Sequence, residues 1–220
     1  LAPFAAAHRT LCEAFDTVVC PLDGGNRARR ILAELTWLVA RTADVDAVHH
    51  LGGRLPGRSR SPAAVTIHDL QPLLRPENFS PAKRAFMARS LPRTARHADL
   101  LVAPSHAVAD KLASRLGVGA DRLAVVSVGA EQIADGPNRP SDPPTVLYPA
   151  ATYPHKNHLV LVEAFARIAD RYPDARLVMT GGPGRADGEV RAAASATGLG
   201  ERIVLTGRIP VAELDALLVG

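Results

Sequence analysis

Tyr148-Pro149-Ala150-Ala151-Thr152-Tyr153-Pro154-His155-Lys156-Asn157-His158 is the stretch on which the fold turns. An apolar strand pattern from Thr145 to Pro149 runs into a polar turn. The turn runs into a helical pattern with apolar residues at Leu159, Val162, Phe165, Ala166 and Ala169. A lysine at the carboxyl end of a parallel strand, next to a helix start, suits an anionic ligand. The first N–H groups of a helix have no intrahelical partner, the dipole end there is positive, and Lys156 adds a full charge. The plain alternative is a strand–loop–helix junction with a solvated lysine, and the rest of the chain decides between the two.

Outward from this stretch, short β-branched runs alternate with longer amphipathic ones, the pattern of a parallel α/β sheet. Strands are expected at Thr17–Cys20, Ala47–His50, Ala64–His68, Leu100–Ala103 and Leu123–Val128, then at Thr145–Pro149, Arg176–Thr180 and Ile203–Thr206. Helices are expected at Arg27–Arg41, Pro81–His97, His106–Leu116, Asn157–Arg171, Ala186–Thr197 and Val211–Leu218. Ser105 is placed to cap the third helix and Gly117 to end it. One segment breaks the rhythm: residues 135–144 carry four prolines and a glycine, which suits neither a helix nor a central strand. The expectation is therefore two Rossmann-like parallel-sheet domains facing a cleft, residues 1–136 and 145–220, with a proline-rich linker at 137–144. The second domain, with three strands before Gly220, reads as incomplete.

The chain has 220 residues, 47% of them hydrophobic and only 4% aromatic, enough apolar material for an α/β interior. Cys12 and Cys20 are the two cysteines, too few for a disulfide framework and consistent with a reducing, cytoplasmic setting. No apolar run approaches the ~20 residues that cross a bilayer. The formal charge is +4 and is mostly arginine, since the lysines are Lys83, Lys111 and Lys156. A basic balance permits phosphates, nucleic acid or an anionic membrane as partners. Aromatic residues are not interleaved with the basic ones, which argues against a nucleic-acid stacking platform.

Several constellations could carry chemistry. Val65-Thr66-Ile67-His68-Asp69 reads as a buried strand ending in His68 and Asp69, where ligands of open α/β sheets bind. A histidine there can donate a hydrogen bond or move a proton near neutral pH. The alternative is a histidine satisfied by a backbone carbonyl, with Asp69 capping a turn. Gly181-Gly182-Pro183-Gly184 follows a strand and allows close approach of a ligand to the backbone, though it is not a complete dinucleotide fingerprint. Gly207-Arg208-Ile209 also follows a strand and could offer backbone groups to a planar base, or be an ordinary β–α turn. His49 and His50 lead into Leu51-Gly52-Gly53, a loop expected at the acceptor side of a cleft. Asp44-Val45-Asp46 reads as a solvated turn at the amino end of the sheet. The His49/His50 and His155/His158 pairs have metal-like spacing but no partner carboxylate or cysteine at helical spacing, so no metal is expected. The helix expected at 81–97 carries Arg89, Arg93 and Arg96 on one face, compatible with a membrane surface or with the solvated face of a packed helix.

Together these pieces resemble glycosyltransferase family 4, a retaining family with the GT-B fold. Four blocks match in order: Thr66 to Pro72, Pro76 to Asp99, Pro104 to Val126, and Pro154-His155-Lys156-Asn157 through Gly181. The resemblance implies transfer of a sugar from a nucleotide-sugar donor, such as a GDP- or UDP-sugar, to a glycan or lipid-linked acceptor, with retained configuration and no metal. It implies that Lys156, with His155 and Asn157, binds the donor diphosphate, that His68 contacts the donor sugar, and that Gly207, Arg208 and Ile209 lie near the base. Ala151 stands where many members carry an arginine, five residues before the lysine, so the resemblance implies either a smaller charge clamp or substitution by His155. The family's two donor-contacting glutamates are expected beyond Gly220, and its glycine-rich first loop before Leu1. A nucleotide-sugar epimerase of the same architecture and a non-catalytic nucleotide-sugar-binding module are the alternatives.

Overall fold

The strand-forming runs of this sequence are rich in valine, leucine and isoleucine, with the continuous hydrophobicity of strands covered on both faces. The computed structural model describes residues 9–22, 26–57, 59–129 and 141–219. The chain divides into two compact units, Leu1–Val128 and Gly129–Gly220. The 137–140 part of the expected linker lies outside the described residues.

In the first unit, helices α1 (Arg9–Ala14), α2 (Arg27–Leu35) and α3 (Trp37–Arg41) precede strand β1 (Val48–His50). Then come β2 (Ala63–Thr66), α4 (Gln71–Leu74), α5 (Pro81–His97), β3 (Leu100–Ala103), α6 (His106–Leu116) and β4 (Leu123–Val125). The four strands form one parallel sheet in the order β1-β2-β3-β4. Its core is built from Val65, Ile67, Leu91, Leu101 and Leu112, all at 2% exposure or less. Each such side chain contributes about 1.5–3 kcal/mol by leaving water. Ser80 and Ser105 cap α5 and α6 by accepting from Lys83 N and Val108 N, and Gly117 ends α6 in the left-handed region at φ 66°.

The second unit holds β5 (Thr145–Pro149), α7 (His158–Ile168), β6 (Arg176–Thr180), α8 (Asp187–Ala196), β7 (Ile203–Gly207) and α9 (Val211–Val219). Its strands form a parallel sheet in the order β5-β6-β7. Val162, Phe165, Leu177, Met179 and Val190 fill its core. Arg202 joins three chain segments by donating to the carbonyls of Ala169, Tyr172 and Ala175.

Three expectations need correction. Thr17–Cys20 is irregular, not a strand: Val18 and Val19 are 57% and 52% exposed, and β-branched residues without a ladder partner do not make a strand. The helix expected at Arg27–Arg41 breaks at Thr36, whose hydroxyl donates to Leu32 O at 2.8 Å while its own N–H does the same at 3.0 Å. The β4 ladder stops at Val125, with one further bond from Val126 N to Ala103 O, so residues 126–128 do not continue it.

Candidate functional site

In the second unit the carboxyl ends of all three strands carry expected site residues. The segment after β5 bends back over the segment after β6. Ala150 N donates to Thr180 O at 2.8 Å, and Thr152 N donates to Gly182 O at 3.4 Å. This approach requires glycine. A methyl group on Gly181, whose φ is +136°, would sit 2.5 Å from the carbonyl carbon and oxygen of Ala150. A methyl group on Gly184 would run into the carbonyl of Thr152. Gly181 N in turn donates to Gly207 O at 2.8 Å, which joins the β6 and β7 ends. Gly182, having no side chain, leaves room for the Arg208 guanidinium that lies over it.

Lys156 closes a short 3-10 turn, Pro154–Lys156, immediately before α7. His155, Lys156 and Asn157 are exposed, and His155 stacks on Tyr153 at 5.9 Å. Asn157 takes the left-handed conformation, φ 56°, at the N-cap of α7, and its side chain does not cap the helix. The first amides of α7 are thus left to solvent or a ligand. Among the described residues neither Lys156 nor Arg208 pairs with a carboxylate. The structure therefore brings His155, Lys156, Asn157, Gly181, Gly182, Gly207 and Arg208 to one edge of one sheet, with Ile209 following on.

A buried threonine holds this edge together. Thr152, 4% exposed, accepts from Gly184 N at 2.7 Å and donates to Asp187 Oδ1 at 3.0 Å. Asp187 also accepts from Arg191 Nε at 2.8 Å. The Arg191 bond first, and the Thr152 bond second, hold the Asp187 carboxyl below the usual carboxylate range. The Asp187–Arg191 spacing of four was open to inspection in the sequence, but nothing local marked Thr152.

In the first unit β2 ends at Thr66, so His68 and Asp69 stand in the loop beyond it, both exposed. His68 Nε2 donates to Leu51 O at 2.9 Å, which sets the loop holding Gly52 and Gly53 beside it. Asp69 Oδ1 accepts from Gln71 N at 2.9 Å and turns the chain into α4. The Gly52–Gly53 loop is anchored at Leu55, whose N–H donates to Thr94 Oγ1 at 2.9 Å and whose carbonyl accepts from Arg93 at 3.3 Å. Arg93, placed by helical spacing on a basic face, thus spends its charge partly on the fold. A cavity of about 260 Å³ opens beside this loop, lined by Glu34, His49, His50, Gly52 and Arg54, with Glu34 and Arg54 ion-paired. Burial, then the neighbouring His49, lowers the His50 pKa. His49 Nε2 bonds Thr66 Oγ1 at 2.8 Å.

The His155/His158 pair does not converge. His155 is exposed while His158 is 2% exposed, and no group of three or more metal-ligating residues exists among the described residues. No helix among them is long and apolar enough to cross a membrane.

Sequence comparison gives this arrangement its context. The family model for Glycosyltransferase Family 4 matches residues 3–131, more than half of the chain. The chain belongs to glycosyltransferase family 4. The model for Glycosyl transferases group 1 matches residues 130–219, so the two matches together run through both units of this family 4 chain. No curated protein matches it in sequence. Among solved structures, a glycosyltransferase from Rickettsia africae aligns with a TM-score of 0.60 and 18% identity, covering 96% of this chain and 60% of that one. Anabaena Alr3699/HepE in complex with UDP and glucose aligns with a TM-score of 0.62 and 18% identity, covering 96% of this chain and 61% of that one. A putative UDP-N-acetylglucosamine 2-epimerase from Listeria monocytogenes aligns at 0.51 and 16% identity, covering 94% and 60%. These likenesses carry the fold: two parallel α/β sheets of GT-B type. The family 4 chain spans about three fifths of the length of these solved structures.

Proposed function

We propose that this chain forms the greater part of a retaining glycosyltransferase, which moves a sugar from a nucleotide-sugar donor to a glycan or lipid-linked acceptor without a metal. The observation that supports this best is Lys156: exposed, without a described counter-ion, and set at the N-terminus of an 11-residue helix. In this reading residues 145–220 hold the donor and residues 1–136 take the acceptor. When the sugar departs, the diphosphate gains negative charge. A preorganised ammonium and the α7 dipole then interact more strongly with the transition state than with the bound donor, which is the condition for catalysis. Arg208, also without a described carboxylate partner, adds a second cation beside the base or the phosphates.

His68, as the contact with the donor sugar, and Asp69 complete the reading as the catalytic pair of the first unit. In the neutral ring, a proton held on Nε2 by Leu51 O leaves Nδ1 an acceptor. Such a group can take a hydrogen bond from a sugar hydroxyl as the reacting carbon becomes positive. The exposed basic residues of α5 are the proposed contact with an anionic membrane that presents a lipid-linked acceptor.

Lys156→Ala in the full-length protein tests this. The substitution should weaken UDP or GDP binding by about 1.5–3 kcal/mol, the scale of a hydrogen bond to a charged group, or roughly ten- to a hundredfold in Kd. Lys156→Arg should restore only part, because a planar fork does not replace a compact ammonium. Calorimetric titration reads both. Unchanged affinity for whichever nucleotide binds the parent would return Lys156 to a solvated side chain.

A further inference from the structure

Lys156 can serve an anion only if its backbone is held still, and that backbone is unusually placed. The segment from Ala150 to Asn157 is a loop, a 3-10 turn and then Asn157 at φ 56°, the one non-glycine residue of positive φ among the described residues. Asparagine adopts that region more readily than other side chains, and a segment outside any strand ladder or α-helix relies on contacts from elsewhere to hold it.

Two side chains do so, one at each end. Tyr148, on β5, donates its hydroxyl proton to Lys156 O at 2.7 Å. His158, the first residue of α7, bonds Ala150 O through Nε2 at 3.1 Å. The two rings meet edge to face, 5.0 Å between centroids at 70°. His158 is 2% exposed, and its Nδ1 is buried with no hydrogen-bond partner. An unpartnered polar atom at such a depth is unfavourable to the fold by about 1–3 kcal/mol. An apolar residue would serve the core of this unit better, so the ring is better explained by what its other nitrogen holds.

We propose that Tyr148 and His158 are positioning residues that clamp the backbone from Ala150 to Lys156, so that the Lys156 ammonium and the α7 N-terminus address the same anionic ligand. The clamp rests on the donor-diphosphate reading for its purpose, but not for its existence. Neither residue touches the ligand; both act through Lys156.

The test uses Tyr148→Phe, His158→Leu and His158→Gln in the full-length protein, with three readouts: amide hydrogen exchange without ligand, calorimetric binding of UDP and GDP, and the thermal midpoint. Tyr148→Phe should speed exchange across residues 150–157 while exchange in β6 stays parental. It should weaken nucleotide binding about fivefold, one ordinary hydrogen bond. His158→Leu should weaken binding about tenfold with the midpoint little changed, since removal of the unpartnered Nδ1 offsets the Ala150 O it leaves without this donor. His158→Gln, which keeps an N–H near the Nε2 position, should recover most of the affinity. Parental exchange over residues 150–157 in Tyr148→Phe would overturn the clamp. So would a His158→Leu protein that binds like the parent, or one whose lost affinity tracks a lowered midpoint with faster exchange throughout the unit. If Lys156→Ala leaves nucleotide binding unchanged, the donor reading fails, and the exchange measurement still decides the clamp.

Discussion

Gly181→Ala is the substitution whose consequence follows most directly from geometry. The added methyl carbon would lie 2.5 Å from the carbonyl carbon and oxygen of Ala150 and 2.7 Å from Ala151 N. All three are backbone atoms, and neither side can swing away cheaply. Gly181 is held by its N–H to Gly207 O at 2.8 Å, and Ala150 by its N–H to Thr180 O at 2.8 Å. Relief needs a shift of about 1 Å to reach ordinary van der Waals contact, at the expense of one of these bonds, about 0.5–1.5 kcal/mol. A φ of +136° adds strain that an alanine feels and glycine does not, about 1–3 kcal/mol. The sum is about 1.5–4.5 kcal/mol, borne by the second unit, and the shifted segment is the one that carries Lys156. Gly188→Ala is the control: Gly188 lies in α8 with nothing within 4 Å of an added methyl, so that variant should be neutral or stabilised by about 0.5–1 kcal/mol. Urea titration followed by two probes separates the units, because Trp37 is the single tryptophan and lies in the first, while Tyr148, Tyr153 and Tyr172 lie in the second. Gly181→Ala should lower the midpoint of the tyrosine-reported transition and of amide protection in β5 and β6, leaving the Trp37 signal parental. A Gly181→Ala protein with the parental β5 and β6 protection would refute the argument that the close approach of these two loops requires glycine.

Two further outcomes follow from side-chain chemistry. Thr152→Val keeps the buried shape but leaves Gly184 N–H without its acceptor and takes one donor from Asp187; the second unit should lose about 1–3 kcal/mol in urea titration, Thr152→Ser much less, and equal losses for both would point to shape alone. His50 has a folded pKa below its ordinary 6.5, so between that value and the lower folded one the unfolded chain binds more protons, and stability falls as pH drops through this window. His50→Gln should flatten the decline of the urea midpoint as pH falls below the ordinary histidine value of 6.5, and an undiminished slope would assign it to another group.

The periodic pattern of residues was enough to locate β3, β5, β6 and β7 and helices α5 to α9 within a few residues, because valine, leucine and alanine at those spacings can bury a face only in that way. The caps Ser105 and Gly117 were equally legible, since a cap is a bond between near neighbours in the chain. So was the family, through ordered blocks such as Pro154-His155-Lys156-Asn157. What the pattern could not contain was pairing between distant segments. Thr17–Cys20 has the composition of a strand and lacks a ladder, and Thr36 breaks a helix whose apolar spacing runs straight through it. Thr152 looks like any polar loop residue until Gly184 and Asp187, more than thirty positions later, are brought to its hydroxyl. Tyr148 and His158 read as a strand aromatic and a spare ring of a histidine pair; only folding sets them on the carbonyls of Lys156 and Ala150. Burial and hydrogen-bond partnership are properties of neighbours in space. The chain's own order therefore determined which residues could carry a charge to an anion, and the tertiary structure decided which others hold them in place.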